Sequence, residues 1–101
     1  MSKPYLTQAA RQDLDSIWSY SARSWSVQQA NAYIRDIQDA VARLSLFPKS
    51  GRLFSESYPS VRILRSADHL IVYRLDDSRI EIVRILHGHM DVVGLIGPGG
   101  D

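Results

Sequence analysis

Val61-Arg62-Ile63-Leu64-Arg65, His69-Leu70-Ile71-Val72-Tyr73-Arg74-Leu75 and Arg79-Ile80-Glu81-Ile82-Val83-Arg84-Ile85-Leu86 decide the fold. Each run is rich in β-branched or aromatic residues, and they are parted only by Ser66-Ala67-Asp68 and Asp76-Asp77-Ser78. Extended runs joined by turns this short pair as neighbours, so the stretch predicts a three-stranded antiparallel meander. The middle run sets His69, Ile71, Tyr73 and Leu75 on one face and Leu70, Val72 and Arg74 on the other, so both faces are largely apolar.

The residues before the meander follow a different period. Ala10, Leu14, Ile17, Trp18, Ala22 and Trp25 recur at helical spacing opposite Arg11, Asp15 and Ser19, which predicts a helix over 8–24 after Thr7. Ser26-Val27-Gln28-Gln29 has the form of a capping box and opens a second helix through Ala30, Tyr33, Ile34, Ile37, Val41 and Leu44 to about Leu46. Pro48 and Gly51 end it, and the short link between the two helices makes them an antiparallel hairpin. Pro4-Tyr5-Leu6 reads as a short edge strand, because proline is tolerated at a strand's first residue. The fold class is therefore α+β: a short N-terminal strand, a two-helix hairpin and a three-stranded antiparallel meander, with residues 1–96 as one domain and 97–101 as a disordered tail. One helical hairpin covers one face of a sheet, so the other face is expected to expose apolar surface with arginines among it.

Composition removes several function classes. A chain of 101 residues without cysteine holds no disulfide framework, thiolate zinc site or thiol nucleophile, which favours the cytoplasm. No apolar run approaches the ~20 residues of a membrane span, and Met1-Ser2-Lys3-Pro4 does not lead into a secretory signal. A net charge of +1 is too small for a general nucleic-acid coat protein. Lys3 and Lys49 are the only lysines, so arginine dominates the cations, the side chain suited to bidentate contacts. Within the strands Arg62, Arg65, Arg74, Arg79 and Arg84 face a single acid, Glu81, unless Asp13, Asp15 or the turn aspartates pair with them.

Chemistry-bearing groups are few. His87-Gly88-His89 with Asp91 lacks a third ligand of suitable geometry unless His69 joins it, so neither a metal nor a cofactor is expected. Arg62, His69, Tyr73, Arg84 and His87 supply the residue types with which a metal-free ribonuclease holds a phosphate and moves a proton. The same groups serve equally as packed or paired structural residues. Asp13-Leu14-Asp15 sits where acids favour a helix N-terminus, and Trp18, Tyr20, Trp25 and Tyr33 belong either to the core or to a groove for a partner helix. No Gly-rich phosphate loop, G-x-S-x-G or H-E-x-x-H is present.

In their order and spacing, several words of the chain resemble the ParE branch of the RelE/ParE toxins. They are Tyr5-Leu6-Thr7 with Ala10, Asp13-Leu14-Asp15-Ser16-Ile17-Trp18-Ser19-Tyr20, Trp25 with Ala30 and Tyr33, and Pro48-Lys49-Ser50-Gly51. Val61-Arg62, His69-Leu70-Ile71-Val72-Tyr73-Arg74 and Ile82-Val83-Arg84-Ile85-Leu86-His87-Gly88-His89-Met90-Asp91 continue the match over nearly the whole chain. The resemblance implies a toxin of a type II toxin–antitoxin pair that inhibits DNA gyrase, is no enzyme itself, and is neutralised in a hetero-oligomer by a ParD-like antitoxin. It implies no sequence-specific nucleic-acid binding and no membrane. Expected gyrase contacts are Arg62, Tyr73, Arg84, His87, Met90 and Asp91, with residues 90–96 as their segment; expected antitoxin contacts are Leu14, Trp18, Trp25, Tyr33, Ile37, Arg65 and Arg74. The RelE branch offers the alternative of a ribosome-dependent mRNA endoribonuclease, with His87, Arg62, Arg84 and Tyr73 as its catalytic set. Beyond the last strand the chain has no Arg, Lys or Tyr to clamp a phosphate. An inactive antitoxin-binding corepressor is the third class.

Overall fold

The computed structural model describes residues 3–77 and 79–88. Strand β1 (Tyr5–Leu6) leads into helices α1 (Gln8–Ser24) and α2 (Val27–Arg43). Strands β2 (Arg52–Ser55), β3 (Tyr58–Ser66), β4 (His69–Asp76) and β5 (Arg79–His87) follow. They form one sheet in the order β1-β5-β4-β3-β2.

The helices begin where their caps dictate. The Thr7 side chain accepts the Ala10 N–H at 3.1 Å and its hydroxyl donates to the Val83 carbonyl at 2.8 Å, so one residue both starts α1 and stitches it to β5. Ser26 caps α2 by accepting the Gln29 N–H at 3.0 Å. That helix stops at Arg43, short of the expected Leu46, because Leu44, Ser45 and Leu46 each donate to the carbonyl three residues back. The tighter turn is how a helix end satisfies carbonyls that lose their α-helical partners.

The sheet corrects the three-stranded expectation. β2 pairs antiparallel with β3 and extends the meander to four strands; its Arg52-Leu53-Phe54-Ser55 has too little apolar alternation to announce a strand. β1 pairs parallel to β5 through Tyr5↔Glu81 and Leu6↔Ile82, so the sheet is mixed. The β4–β5 register shifts between Val72 and Tyr73, leaving one extra residue in β5 opposite that step. A bulge of this kind bends the strand and increases its twist.

Both faces of the sheet are packed. On the helical side Ile71, Tyr73, Ile80, Ile82 and Ile85 bury against Ala10, Ile37, Ala40, Val41 and Leu44. The opposite side was expected to lie open, but Val61, Ile63, Leu70, Val72 and Leu86 are buried there as a second cluster. Phe54 and Tyr58, flanking the β2–β3 turn, pack against it, so this hairpin supplies cover that a count of helices omits. The anticipated bare apolar face is therefore absent among the described residues.

Tyr73 fixes the connection between α2 and β2. Its hydroxyl donates to the Pro48 carbonyl at 2.7 Å and accepts the Gly51 N–H at 3.0 Å, with the side chain wholly buried. A Cβ on Gly51 would lie 2.7 Å from Tyr73 Cε1 and Oη, so glycine is required by close approach. Burial raises the phenol's pKa, offset in part by the Gly51 hydrogen bond and the Arg62 charge.

Candidate functional site

A cleft of about 350 Å3 opens where α1 and α2 meet the His-bearing ends of β4 and β5. Tyr20, Trp25, Tyr33, His69 and His87 line it, with Asp13, Ser16 and Asp68 as polar groups. The Tyr33 oxygen lies 2.6 Å from His69 Nδ1 and accepts the Asp68 N–H at 3.2 Å. The phenol donates to Nδ1 when the imidazole proton is on Nε2 and accepts from Nδ1–H in the other tautomer, since its oxygen has a second lone pair beyond the one taken by the Asp68 N–H. Burial lowers the His69 pKa, and the charge of His87 lowers it further, against smaller opposing effects from Asp68 and Asp13. The Tyr33 pKa is raised, chiefly by burial. The His69 and His87 rings meet edge to face with centroids 5.4 Å apart.

Asp13 closes one side of the cleft. Its carboxylate accepts Arg84 Nε at 2.8 Å, Arg84 Nη2 at 2.9 Å and the Ile85 backbone N–H at 2.9 Å. One helical side chain thus terminates the outer edge of β5 beyond the end of β1 and neutralises a sheet arginine. The Arg84 pKa is raised, first by the Asp13 hydrogen bonds. Asp13 and Asp15 do not lie in the first turn of α1, so the helix-start role expected of them gives way to this tertiary clamp for Asp13.

The other sequence-selected residues are dispersed. Arg62 Nη1 donates to the Gly51 carbonyl at 2.7 Å, beside the sealed Tyr73 hydroxyl. Of the expected contacts, Tyr73 and Ile37 are fully buried in the isolated chain. The Tyr73 hydroxyl is taken by the Pro48 carbonyl and the Gly51 N–H, and the Arg84 guanidinium by Asp13. Arg74 pairs with Glu81 at 3.4 Å, Arg65 donates to the Ala67 carbonyl at 3.3 Å, and Arg79 donates to the Tyr5 hydroxyl at 3.3 Å. Trp18, Tyr20 and Trp25 are exposed and Leu14 and Tyr33 half-buried, so the three aromatics on and just after α1 lie outside the core. Trp18 Nε1 donates to Asn31 Oδ1 at 2.8 Å, across the hairpin. His89, Met90, Asp91, the 90–96 segment and the 97–101 tail lie outside the described residues. Among the described residues no three His, Asp or Glu side chains gather as a metal site.

Asp13 is one of the acids the sequence offers as a partner for the strand arginines, but which arginine it takes, and the meeting of Tyr33 with His69, are not legible there. Asp13 is 71 positions from Arg84 and Tyr33 is 36 from His69, and no local spacing reports such pairings. The single indirect signal is the excess of arginine over acid within the strands, which requires acids from elsewhere.

Comparison with known proteins completes the assignment. The family described as the ParE toxin of the type II toxin–antitoxin system parDE matches residues 5–92. A protein of Mycobacterium tuberculosis named toxin ParE1 is 38% identical over 91% of this chain and 96% of its own length. Toxin ParE1 of Caulobacter vibrioides is 35% identical over 94% of this chain and 99% of its own. A solved chain of the chromosomal ParDE toxin–antitoxin system from P. aeruginosa superposes with a TM-score of 0.74 at 26% identity, covering 86% of this chain and 96% of that one. With the helical hairpin, the mixed sheet and these relatives in agreement, the chain belongs to the ParE toxin family of type II toxin–antitoxin systems.

Proposed function

We propose that this toxin arrests growth by binding DNA gyrase rather than by catalysis, and that a ParD-like antitoxin neutralises it in the cytoplasm as a hetero-oligomer. The observation that carries the non-enzymatic reading is the fate of the groups a ribonuclease would need. The Tyr73 hydroxyl is sealed by Pro48 and Gly51, and the Arg84 guanidinium is engaged bidentately by Asp13. Phosphoryl chemistry requires such donors free and convergent. Arg62, Arg84, His87, Met90 and Asp91 remain the proposed gyrase contacts.

The antitoxin surface is supported by a groove of about 590 Å3 along the outer side of the hairpin, lined by Leu6, Arg11, Leu14, Asp15, Trp18 and Ile34. An apolar floor with an aromatic anchor and a charged rim suits an amphipathic segment. Trp25, Tyr33, Arg65 and Arg74 are further proposed contacts outside it. Inducible expression without antitoxin tests the mode of action. DNA breaks and lost supercoiling with intact messages are expected, together with inhibition of purified gyrase. Cleaved messages with gyrase untouched at excess toxin would overturn it.

A further inference from the structure

Two carboxylates line the His69 cleft, and among the described residues only one of them has a partner. Asp13 is taken by Arg84 and the Ile85 N–H. The Asp68 carboxylate forms no ion pair and accepts no hydrogen bond among the described residues. Its backbone, by contrast, is held on both sides: the Asp68 N–H donates to the Tyr33 oxygen at 3.2 Å, and the Asp68 carbonyl accepts the Gly88 N–H at 2.9 Å. The turn carrying this charge is therefore tied to α2 and to the end of β5, while the charge itself is unpaired. The Arg65 guanidinium lies against Gly88, on the face of the sheet opposite the helices, and does not line the cleft.

Much of the remaining wall is aromatic. Tyr33, His69 and His87 meet in two edge-to-face steps, each with ring centroids 5.4 Å apart. Tyr20 and Trp25, 61% and 58% exposed, carry the ring surface out to the rim. No Lys or Arg lines the cleft. Aromatic faces are negative and Asp68 is charged, so both kinds of wall group favour a cation. The Asp68 charge is felt at the rings: burial and then the charge of His87 lower the His69 pKa, and Asp68 acts against them by favouring the positive imidazole. An anion entering the cleft would meet a carboxylate and no Lys or Arg, and an apolar side chain would strip water from Asp68 without pairing it.

We propose that this cleft receives an arginine side chain from a protein partner, its guanidinium stacked on the aromatic rim and paired with Asp68. A guanidinium suits both contacts, because it is planar, stacks on ring faces and meets a carboxylate with two parallel N–H groups, whereas a lysine ammonium is a strongly hydrated point charge. At about 350 Å3 the cleft lies at the lower end of ligand sites, about 300–1,000 Å3, which fits one long side chain. The exposed Tyr20 and Trp25 offer an apolar ledge to the residues flanking that arginine. The cleft shares no lining residue with the hairpin groove, so it is a second and chemically different contact point. The inference rests on the reading above only in that the toxin acts through protein contacts.

The test titrates the full chain at low ionic strength with N-acetylarginine methylamide, following the Trp25 indole N–H by NMR. The citrulline, lysine and phenylalanine counterparts of that probe serve as the neutral isostere, the other cation and the apolar occupant. Saturable binding of the arginine probe with Kd on the order of 1 mM is expected, with the citrulline probe about tenfold weaker, as for loss of one charged contact. Asp68→Asn should weaken the arginine probe by about tenfold, and Tyr20→Ala by about threefold, as for loss of one cation–ring contact. Both positions are exposed, and circular dichroism and the thermal midpoint verify folding. Absence of saturation by about 100 mM, a hundredfold above that Kd, overturns the proposal, as does undiminished binding by folded Asp68→Asn. Binding of the citrulline, lysine or phenylalanine probe as tightly as the arginine probe also overturns it. The assay contains neither gyrase nor antitoxin, so its failure leaves the mode of action standing, and failure of gyrase inhibition leaves the cleft's preference standing.

Discussion

Replacing Asp13 by alanine removes three acceptor contacts at once, to Arg84 Nε, Arg84 Nη2 and the Ile85 N–H. The pair is partly screened, with the arginine side chain 32% and the aspartate 15% exposed, so it ranks above a surface ion pair and below a fully desolvated one. A backbone N–H stranded without a partner costs about 1–3 kcal/mol, and a hydrogen bond to a charged group contributes about 1.5–3 kcal/mol. Because the losses overlap, Asp13→Ala is expected to destabilise by about 2–4 kcal/mol, which lowers the midpoint of a domain this size by roughly 10–25 °C. Asp13→Asn keeps an acceptor for Ile85 and is expected to lose about half as much. Urea unfolding of both variants, of Arg84→Met and of Asp13→Ala/Arg84→Met isolates the pair term, expected at about 1–2 kcal/mol. If Asp13→Ala stays within about 0.5 kcal/mol of the parent, Asp13 is not what closes the outer edge of β5 and the clamp is decorative.

Three further outcomes are expected. Tyr73→Phe leaves the Gly51 N–H and the Pro48 carbonyl without their partner and should lower stability by about 1–3 kcal/mol in urea, with catalysis-independent toxicity retained wherever the variant folds. The folded-state pKa of His69 lies below its ordinary 6.5, with Tyr33, His87, Asp68 and Asp13 facing it. The unfolded chain therefore binds the extra proton first, so the urea midpoint should hold above about pH 7 and fall as pH drops through about 6.5; His69→Gln should flatten that fall, and an unchanged profile would remove His69 as its cause. Trp18→Ala deletes the anchor of the hairpin groove and should weaken antitoxin capture at least tenfold in a calorimetric titration, as expected for an aromatic hot spot, with the unfolding midpoint little changed.

The helices were the most legible part of the sequence, because capping and period act over a few residues. Thr7 and Ser26 mark both starts, and the α1 bounds coincide with the expectation from apolar spacing. The three long strands were legible for the same reason. β2 was not, since its four residues gain strand geometry from pairing with β3 rather than from their own preference. The parallel docking of β1 on β5 joins residues 76 apart and leaves no local trace. The candidate site was legible only as residue types. Tyr73, which looks like a proton donor on paper, has its hydroxyl absorbed by the 48–51 connection. Arg84 has its charge absorbed by Asp13, an acid the sequence offers as a partner without saying for which arginine. Apolar periodicity likewise placed Trp18 and Trp25 near the core, whereas the buried stripe of α1 runs through Ala10, Leu14, Ile17 and Ser21.

The union of Tyr5–Leu6 and Thr7 with β5 sets the order in which this molecule is able to form. The helical hairpin depends on neighbours close in the chain and assembles early, whereas the sheet's first strand has its hydrogen-bonding partner only in its last. During synthesis, at about 5–20 residues per second, the N-terminal strand waits several seconds for residues 79–87 to emerge. Until then Leu6 and the inner side of α1 have no β5 to cover them. The nascent toxin is thus a sticky, unclosed hairpin without its finished surface, and it matures in one late step. That delay gives a neutralising partner already present in the cell a window in which to meet it.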